Sequence, residues 1–204
     1  MNKILNIIKY LKLFAGAILL SACSVLQPVK SQAPATYALE AQFAAPTNSK
    51  GELVLQVSMP QSRSGFESPR MVYLKKAHEL EYFANNQWVD SPARMIAPLL
   101  LQAMESSGKY KAVITSRSAV LADLRLDTEI VRLQQEFFSS PSQLHLTLRV
   151  QLLDLHKKSI IAQREFDVQQ VAASDDPYAG VVAANQALQK LLPQIAEFVA
   201  QAVK

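Results

Sequence analysis

The chain has 204 residues, with 21 lysines and arginines, 17 aspartates and glutamates, and a single cysteine. Three of the lysines and none of the acids lie in residues 1–22, so subtracting three from 21 leaves 18 basic against 17 acidic side chains. This near-neutral remainder gives no support to a basic nucleic-acid-binding surface, and one cysteine cannot form a disulfide within the chain. We therefore expect no nucleic-acid partner and a fold stabilised by packing.

The first 23 residues have the pattern of a secretory signal that ends in a lipidation site. Lys3, Lys9 and Lys12 precede the apolar run 13–20, and Leu-Ser-Ala-Cys occupies 20–23. Basic residues, a short apolar core and small residues before a cleavage site are typical of a signal peptide. The run is shorter than the roughly 20 residues that cross a bilayer. The cysteine directly after the small residues makes the pattern a lipobox, which is typical of bacterial lipoproteins.

We predict that residues 1–22 are removed as a lipoprotein signal peptide and that Cys23 carries covalent lipid, palmitate included. The alternative is an ordinary signal peptide with an incidental cysteine, which would leave a reactive thiol in an oxidising compartment. Several acyl chains hold a protein on a membrane stably, whereas one chain holds it weakly. Ser24 stands where an aspartate would retain a lipoprotein at the inner membrane. The periplasmic face of the outer membrane of a Gram-negative bacterium is therefore the expected location.

A tether is predicted between the lipid and the folded part. Residues 23–35 contain Pro28 and Pro34, polar side chains and few large apolar ones. Twelve extended residues reach at most about 40 Å, which bounds the distance between the folded part and the membrane. The remaining residues, 36–204, contain no internal repeat or low-complexity tract and are predicted to form one domain.

Short strands open this domain, followed by a helix. Four segments rich in apolar and aromatic residues are predicted as strands: 36–39, 53–57, 71–74 and 79–83. The last two form a predicted hairpin, and Asn85-Asn86 is predicted as a turn before Trp88. Ser91 as N-cap and Pro92 in the first position predict the start of a helix, and Gly108 predicts its end.

Longer strands and a second helix complete the predicted fold. After a strand at 110–114, clean alternation predicts three antiparallel strands with one dry and one wet face: 124–130, 144–152 and 160–171. The apolar phase shifts after Ile130, which indicates a β-bulge. Asp176 and Pro177 predict the start of the second helix. The fold class expected is α+β, a mostly antiparallel sheet with two main helices packed on one face.

The sequence shows no pattern for catalysis or metal binding. None of His78, His145 and His156 is paired at metal-ligand spacing, and His145 is expected to be an exposed residue on the wet face of its strand. Asp127 and Glu129 share a strand face, where solvated charges are favoured over an acid–base pair. Asp175-Asp176 is interpreted as a helix cap. We therefore expect no enzyme activity, no metal and no cofactor apart from the lipid on Cys23.

Aromatic residues cluster in the first half of the domain. Tyr73, Tyr82, Phe83, Trp88 and Tyr110 fall close together along the strands and the first helix. Packing between sheet and helix is one interpretation, and an aromatic patch for a protein or lipid partner is the other. As a partner-binding surface, the hypothesis names Tyr73, Tyr82, Phe83 and Trp88.

The order of these motifs resembles a known family. A Tyr-x-Leu strand at 37–39 follows the lipobox, an arginine precedes a hydrophobic strand at 70–72, and the segment 79–92 reads Glu-Leu-Glu-Tyr-Phe-Ala-Asn-Asn-Gln-Trp-Val-Asp-Ser-Pro. This segment is similar to the hallmark of the ABC-type transport auxiliary lipoproteins, a group that includes the PqiC-like lipoproteins. The loop 59–66 departs from the family pattern because it lacks the usual Tyr-Leu.

The resemblance implies an auxiliary role in transport. Such lipoproteins are similar to partners of periplasmic MCE-domain proteins, which move lipids between the membranes with an inner-membrane ABC permease and ATPase. The expected function is to dock the MCE component at outer-membrane lipid, and self-association into a homo-oligomer is left open. The alternative is a periplasmic lipid-binding carrier lipoprotein that acts on its own, and a periplasmic enzyme is a more distant alternative.

Overall fold

The structure is a computed structural model that describes residues 3–4, 6–7, 33–45 and 51–203. The chain divides into two compact units, Met1–Ala33 and Pro34–Lys204. Residues 3–4 and 6–7 of the first unit are helical. Most of the predicted signal peptide, Cys23 and most of the predicted tether lie outside the described residues. In the described parts of the chain, no helix is long and apolar enough to span a membrane.

The second unit consists of nine strands and two helices. The strands and helices follow one another in this order: β1 (Ala35–Tyr37), β2 (Val54–Val57), β3 (Gln61–Ser62), β4 (Arg70–Leu74), β5 (Glu81–Trp88), α1 (Pro92–Ser106), β6 (Ala112–Thr115), β7 (Leu124–Glu136), β8 (Gln143–Asp154), β9 (Ser159–Val171) and α2 (Pro177–Ala202). The expected α+β class is confirmed.

The sheet is mixed, which corrects the expectation of a mostly antiparallel one. Strand β7 pairs antiparallel with β8, and β8 pairs antiparallel with β9. Along its other edge, β7 pairs in parallel with β2, β3 and β4 in turn. These three strands are short and lie far from β7 in the sequence. Two strands can pair in parallel only when a long connection brings the chain back to the same end of the sheet. Helix α1, between β5 and β6 in the chain, is part of the connection that returns the chain to the start of β7.

The remaining strands extend the sheet at both ends of this parallel edge. Strand β5 pairs antiparallel with β4, β1 pairs parallel with β5, and β6 pairs parallel with β2. The predicted turn at Asn85-Asn86 is wrong, because both residues lie inside β5. Asn86 is paired with Ala35 of β1, so a distant strand keeps this turn-prone pair extended. The hairpin itself is confirmed, with its turn at residues 75–80.

The predicted bulge in β7 is confirmed. The register between β7 and β8 shifts between Ile130 and Arg132. Before the shift the even-numbered residues, such as Leu126 and Ile130, point into the core, and after it Leu133 does. The extra residue keeps apolar side chains on the core side of a 13-residue strand that would otherwise turn its apolar set outwards.

The core lies between the sheet and the two helices. Strand β8 turns Leu146, Leu148, Val150 and Leu152 inwards, and none of them retains solvent exposure. Both helices bury an apolar stripe in the same core, and they also contact each other.

Both predicted helix starts are confirmed, although the side chain of Ser91 makes no capping hydrogen bond to α1. Helix α2 is capped by Asp176, whose Oδ1 accepts a hydrogen bond from the backbone N–H of Ala179 at 2.9 Å. Asp175 binds the turn between β7 and β8, because it accepts bonds from the Ser142 N–H at 2.6 Å and from Ser140 Oγ at 2.8 Å. These bonds lower the pKa of Asp175, the one from Ser140 most strongly. The two acids therefore join the helix start to the sheet.

Candidate functional site

The four aromatic residues expected at a partner interface do not form one surface. Trp88 is only 3% exposed and belongs to the core. Tyr82 and Phe83 are neighbours on β5 and therefore point to opposite faces of the sheet. The structure brings Tyr73 and Phe83 together and separates them from the other two.

Tyr73 and Phe83 form a half-buried aromatic cluster with Phe137. The ring centroids of Tyr73 and Phe83 are 4.4 Å apart, and Phe137 meets both rings edge-on at 5.8 and 6.4 Å. The Tyr73 hydroxyl donates to Glu81 Oε2 at 2.6 Å, and this hydrogen bond is the main cause of the raised pKa of Tyr73. The sequence prediction missed Phe137, which reaches the cluster because its N–H bonds the carbonyl of Leu74.

Tyr82 and Tyr110 have structural surroundings of their own. The guanidinium of Arg70 lies 3.7 Å from the centroid of the Tyr82 ring, a cation–π geometry. Tyr110 is buried, and burial raises the pKa of its hydroxyl to about 12. Core packing, one of the two interpretations of these aromatic residues, therefore accounts for Trp88 and Tyr110.

Exposed apolar side chains lie on or beside three turns next to the aromatic cluster. Leu74, Glu136, Gln143 and Val171 are paired in a row across β4, β7, β8 and β9. The turns that adjoin this row therefore all lie at one end of the sheet, which we call the aromatic end. Its exposed apolar residues are Leu80, Phe138, Val171 and Tyr178.

A second group of exposed apolar residues lies at the opposite end, which we call the far end. Leu121 is 92% exposed and Val120 is 58% exposed, both in the loop before β7. Ile160 is exposed at the start of β9. Asp123 connects the loop before β7 to the turn between β8 and β9. Its carbonyl accepts the N–H of Leu155, and its carboxylate lies 2.9 Å from the His156 ring.

The far end also carries exposed basic residues. Lys111, Lys157 and Lys158 are exposed there. Asp123 is held mainly by the backbone N–H of Val54 and then by His156, and both bonds lower its pKa. Asp123 is thus engaged in internal bonds, and Lys157 pairs with Asp154 at 3.6 Å, while all three lysine side chains stay exposed to solvent.

A ladder of ion pairs covers the sheet face that points away from the helices. Arg149 donates to Glu129 on β7 at 2.9 Å and to Glu165 on β9 at 2.8 Å, and Arg63 adds a bond to Glu129 at 3.0 Å. Ser58 donates to Asp127 at 2.6 Å. Asp127 and Glu129 are therefore charged residues of the sheet face, as the sequence favours, each bound to a partner.

His145 is buried, which corrects the expectation of an exposed histidine. It is only 8% exposed, and Thr147 beside it is fully buried. Its Nδ1 lies 3.0 Å from Glu136, and its Nε2 lies 2.9 Å from both Asp167 and Arg132. Arg132 and Glu136 on β7 and Asp167 on β9 surround the ring. They cover it on the outer face of the sheet, which alternation of apolar and polar residues predicts to be exposed.

The side chains around His145 also favour the charged form of Asp167. Partial burial would raise the pKa of its carboxyl, but hydrogen bonds from Thr147 and His145 and the charge of Arg132 outweigh burial and lower it. Glu136 and Asp167 bind opposite nitrogens of His145, so the three side chains do not converge on one point. In the described part of the chain, no group of three or more acids, histidines or cysteines could hold a metal ion.

An apolar groove lies between α1 and the ends of β2 and β6. Its volume is about 560 Å³. Val57, Met59 and Leu101 supply apolar walls, and Arg94 and Arg117 stand in its lining. Arg94 is already paired with Asp90 at 3.0 Å. The groove therefore combines an apolar wall with positive charge.

Comparisons with solved structures show where this fold occurs. The protein XCC0632 from Xanthomonas campestris has 22% sequence identity and a TM-score of 0.73, over 82% of this chain and 96% of that one. The hypothetical protein CT253 from Chlamydia trachomatis has 16% identity and a TM-score of 0.52, over 75% of this chain and 98% of that one. At these identities the likeness establishes the shared fold.

The family follows from the sequence. No curated protein sequence matches the chain significantly. Residues 37–196 match the family described as the ABC-type transport auxiliary lipoprotein component, a family of transport components that is not a known enzyme family. The match covers most of the chain and confirms the resemblance found in the motifs. The chain therefore belongs to the ABC-type transport auxiliary lipoprotein family.

Proposed function

We propose that this lipoprotein is an outer-membrane-anchored docking component of an MCE-type ABC lipid transport system. In this proposal residues 1–22 are the signal peptide, Cys23 carries the lipid, 23–35 form the tether and 36–204 form the docking domain. The observation that carries the proposal is the family match over residues 37–196, which begins directly after a lipobox and a tether-like segment. The energy source is an inner-membrane permease and ATPase reached through the MCE protein.

We assign the contact with the MCE protein to the far end of the domain. Val120 and Leu121 are adjacent and both strongly exposed, and Ile160 is a third exposed apolar side chain at this end. Several exposed apolar side chains together indicate an interaction site, whereas single ones do not. Lys157 and Lys158 lie at its rim. An apolar centre with a charged rim is the usual anatomy of an interface, so the fitting partner surface is apolar with acidic residues around it.

This assignment replaces the surface of four aromatic residues. Trp88 is in the core and Tyr82 lies beneath Arg70, so neither side chain is free to form the centre of an interface. Tyr73 and Phe83 reach the surface only as half-buried members of the aromatic cluster. A partner contact at these two residues stays a prediction, and the same experiment tests it.

Co-purification from native membranes tests the proposal. The tagged protein, solubilised in a mild detergent, should bring down an MCE-domain protein, and Val120→Asp with Leu121→Asp should reduce that yield at least 10-fold. Val89→Asp is the matched control, because Val89 is a similarly exposed valine on the loop between β5 and α1. Phe83→Ser reports on the aromatic cluster. Failure of the wild-type protein to bring down any MCE protein in several mild detergents would refute the proposal.

The apolar groove beside α1 favours a second candidate function, a lipid carrier that acts on its own. Its apolar wall suits an acyl chain, and Arg117 suits an anionic headgroup. Native mass spectrometry of the purified protein decides between the two functions. A phospholipid bound in stoichiometric amount, and lost in Leu101→Asp, would support the carrier, and its absence would refute it.

A further inference from the structure

We propose that the contact between Asp123 and His156 positions the two segments of the far end that carry its exposed apolar side chains. It holds the loop 116–123, with Val120 and Leu121, in one arrangement relative to the turn between β8 and β9. The inference deepens the proposed function and rests on the assignment of the MCE contact to this end. It adds two positioning residues, whose loss weakens the contact while the exposed apolar side chains stay unchanged.

Four hydrogen bonds connect Asp123 to two other segments of the far end. Its backbone N–H donates to the carbonyl of Val54 at 3.0 Å, and its Oδ2 accepts the N–H of Val54 at 2.7 Å. Its carbonyl accepts the N–H of Leu155 at 3.0 Å, and its Oδ1 lies 2.9 Å from Nε2 of His156. Because an ionised carboxylate only accepts hydrogen bonds, Nε2 of His156 is the donor. Asp123 therefore connects the loop both to β2 and to the turn.

The loop and the turn each have hydrogen bonds of their own. In the turn, Oδ1 of Asp154 accepts the N–H of His156 at 2.9 Å. In the loop, the N–H of Ser118 donates to the carbonyl of Thr115 at 3.0 Å, and the N–H of Val120 donates to Ser118 Oγ at 3.2 Å. These bonds order the loop and the turn separately. The position of one segment relative to the other depends on the bonds that join them.

The contact between the two side chains is exposed and can be removed without disturbing the core. The side chain of His156 is 75% exposed, and that of Asp123 is 31% exposed. Exposed pairs of this kind contribute little to global stability. The backbone bonds from Asp123 to Val54 and to Leu155 do not depend on the imidazole ring. Removing the ring should therefore loosen the turn against the loop and leave the fold intact.

A fixed arrangement matters because the exposed apolar residues of the far end lie on separate segments. Val120 and Leu121 belong to the loop, whereas Ile160 follows the turn at the start of β9. A partner that contacts both segments binds more tightly when they are already ordered, because less conformational freedom is lost on binding. The contact between Asp123 and His156 supplies this order before the partner arrives.

Amide hydrogen exchange and co-purification test the inference on the full-length lipoprotein in mild detergent. The N–H of Leu155 is the reporter, because its bond to the carbonyl of Asp123 must open before the N–H can exchange. We expect this N–H, followed by NMR, to exchange about 3-fold faster in His156→Ala, as for the loss of one exposed charged pair. The yield of co-purified MCE protein should fall by about the same factor.

Two further variants separate the positioning role from a general effect of the substitution. His156→Gln keeps an N–H donor for the carboxylate and should stay close to the wild type in both measurements. His78→Ala is the matched control, because His78 is an exposed histidine in the turn between β4 and β5. It should change neither the exchange of Leu155 nor the yield of MCE protein.

The outcomes separate this inference from the proposed function. A wild-type protein that brings down no MCE protein would overturn both. Normal capture together with normal Leu155 exchange in His156→Ala would overturn the inference alone. Lower capture with unchanged exchange would also overturn it, because His156 would then contact the partner directly. Faster exchange with unchanged capture would overturn it as well, because the order of the turn would not serve the interface.

Discussion

Replacing Gly180 by alanine sets two opposite effects against each other in α2. Gly180 is buried within the helix, where alanine is favoured over glycine by about 1 kcal/mol. A Cβ atom at this position, however, would lie 2.2 Å from Oε1 of Gln135 on β7. Helix propensity alone therefore predicts a more stable variant, whereas packing predicts a less stable one.

The packing effect is the larger one because Gln135 is held in place. Its side chain is buried, and its Nε2 donates to Ser142 Oγ at 2.8 Å and to the carbonyl of Asp176 at 3.1 Å. A side chain that moves away from the new methyl group loses these bonds, and a buried donor left without a partner costs about 1–3 kcal/mol. Set against the helix gain, we expect Gly180→Ala to lower the free energy of unfolding by up to about 2 kcal/mol.

Urea unfolding followed by the fluorescence of Trp88 measures this difference, because Trp88 is the single tryptophan and is buried. Shortening Gln135 to alanine provides the control, since it removes the overlap. In that background Gly180→Ala should stabilise the protein by about 1 kcal/mol. A Gly180→Ala protein more stable than the wild type would refute the reasoning, as would a double variant that shows no recovery.

Three further outcomes follow from the structure. Asp176→Ala removes the side-chain cap of α2 and should lower the free energy of unfolding by about 1 kcal/mol in the same urea assay. Asp167 has a folded pKa below its ordinary 3.8, so its charged form adds stability above pH 3.8, and this contribution is lost as the pH falls through the folded value. Asp167→Asn should therefore unfold more easily than the wild type at pH 6, with the gap closing in acid titrations below pH 3.8; a constant gap would contradict the pairing. Leu121→Asp should leave the unfolding midpoint almost unchanged, because the side chain is exposed, and a large shift would show that the loop is structural.

Local sequence signals predicted the elements whose chemistry is local. Proline after a capping residue marked both helix starts, and the change of apolar phase after Ile130 marked the bulge in β7. The hairpin of β4 and β5 was predicted, but its second strand was ended at 83, before a turn at Asn85-Asn86. That error arose because β1, a strand from elsewhere in the chain, keeps these residues extended.

The candidate surfaces depended more on partners that are distant in sequence. Alternation placed His145 on the outer face correctly, but its burial depends on Glu136 and Asp167, which only strand pairing brings beside it. The aromatic residues could be named from their spacing along the chain. Which of them share a surface could not, because neighbours along a strand face opposite sides, and Phe137 joins the cluster through a backbone bond to Leu74.

The sequence by itself determined the family, the α+β class, the helix starts and the expected lipid anchor, because each rests on a motif or on a periodicity within a short stretch. Only the tertiary structure decided that the sheet is mixed, that Trp88 is in the core, and that exposed apolar residues collect at two opposite ends. These features depend on which strands become neighbours and in which direction they run. Parallel pairing of short strands leaves no local periodic signal in the sequence. The two ends of the sheet, with their exposed apolar residues, are therefore defined only once the strand pairings are known.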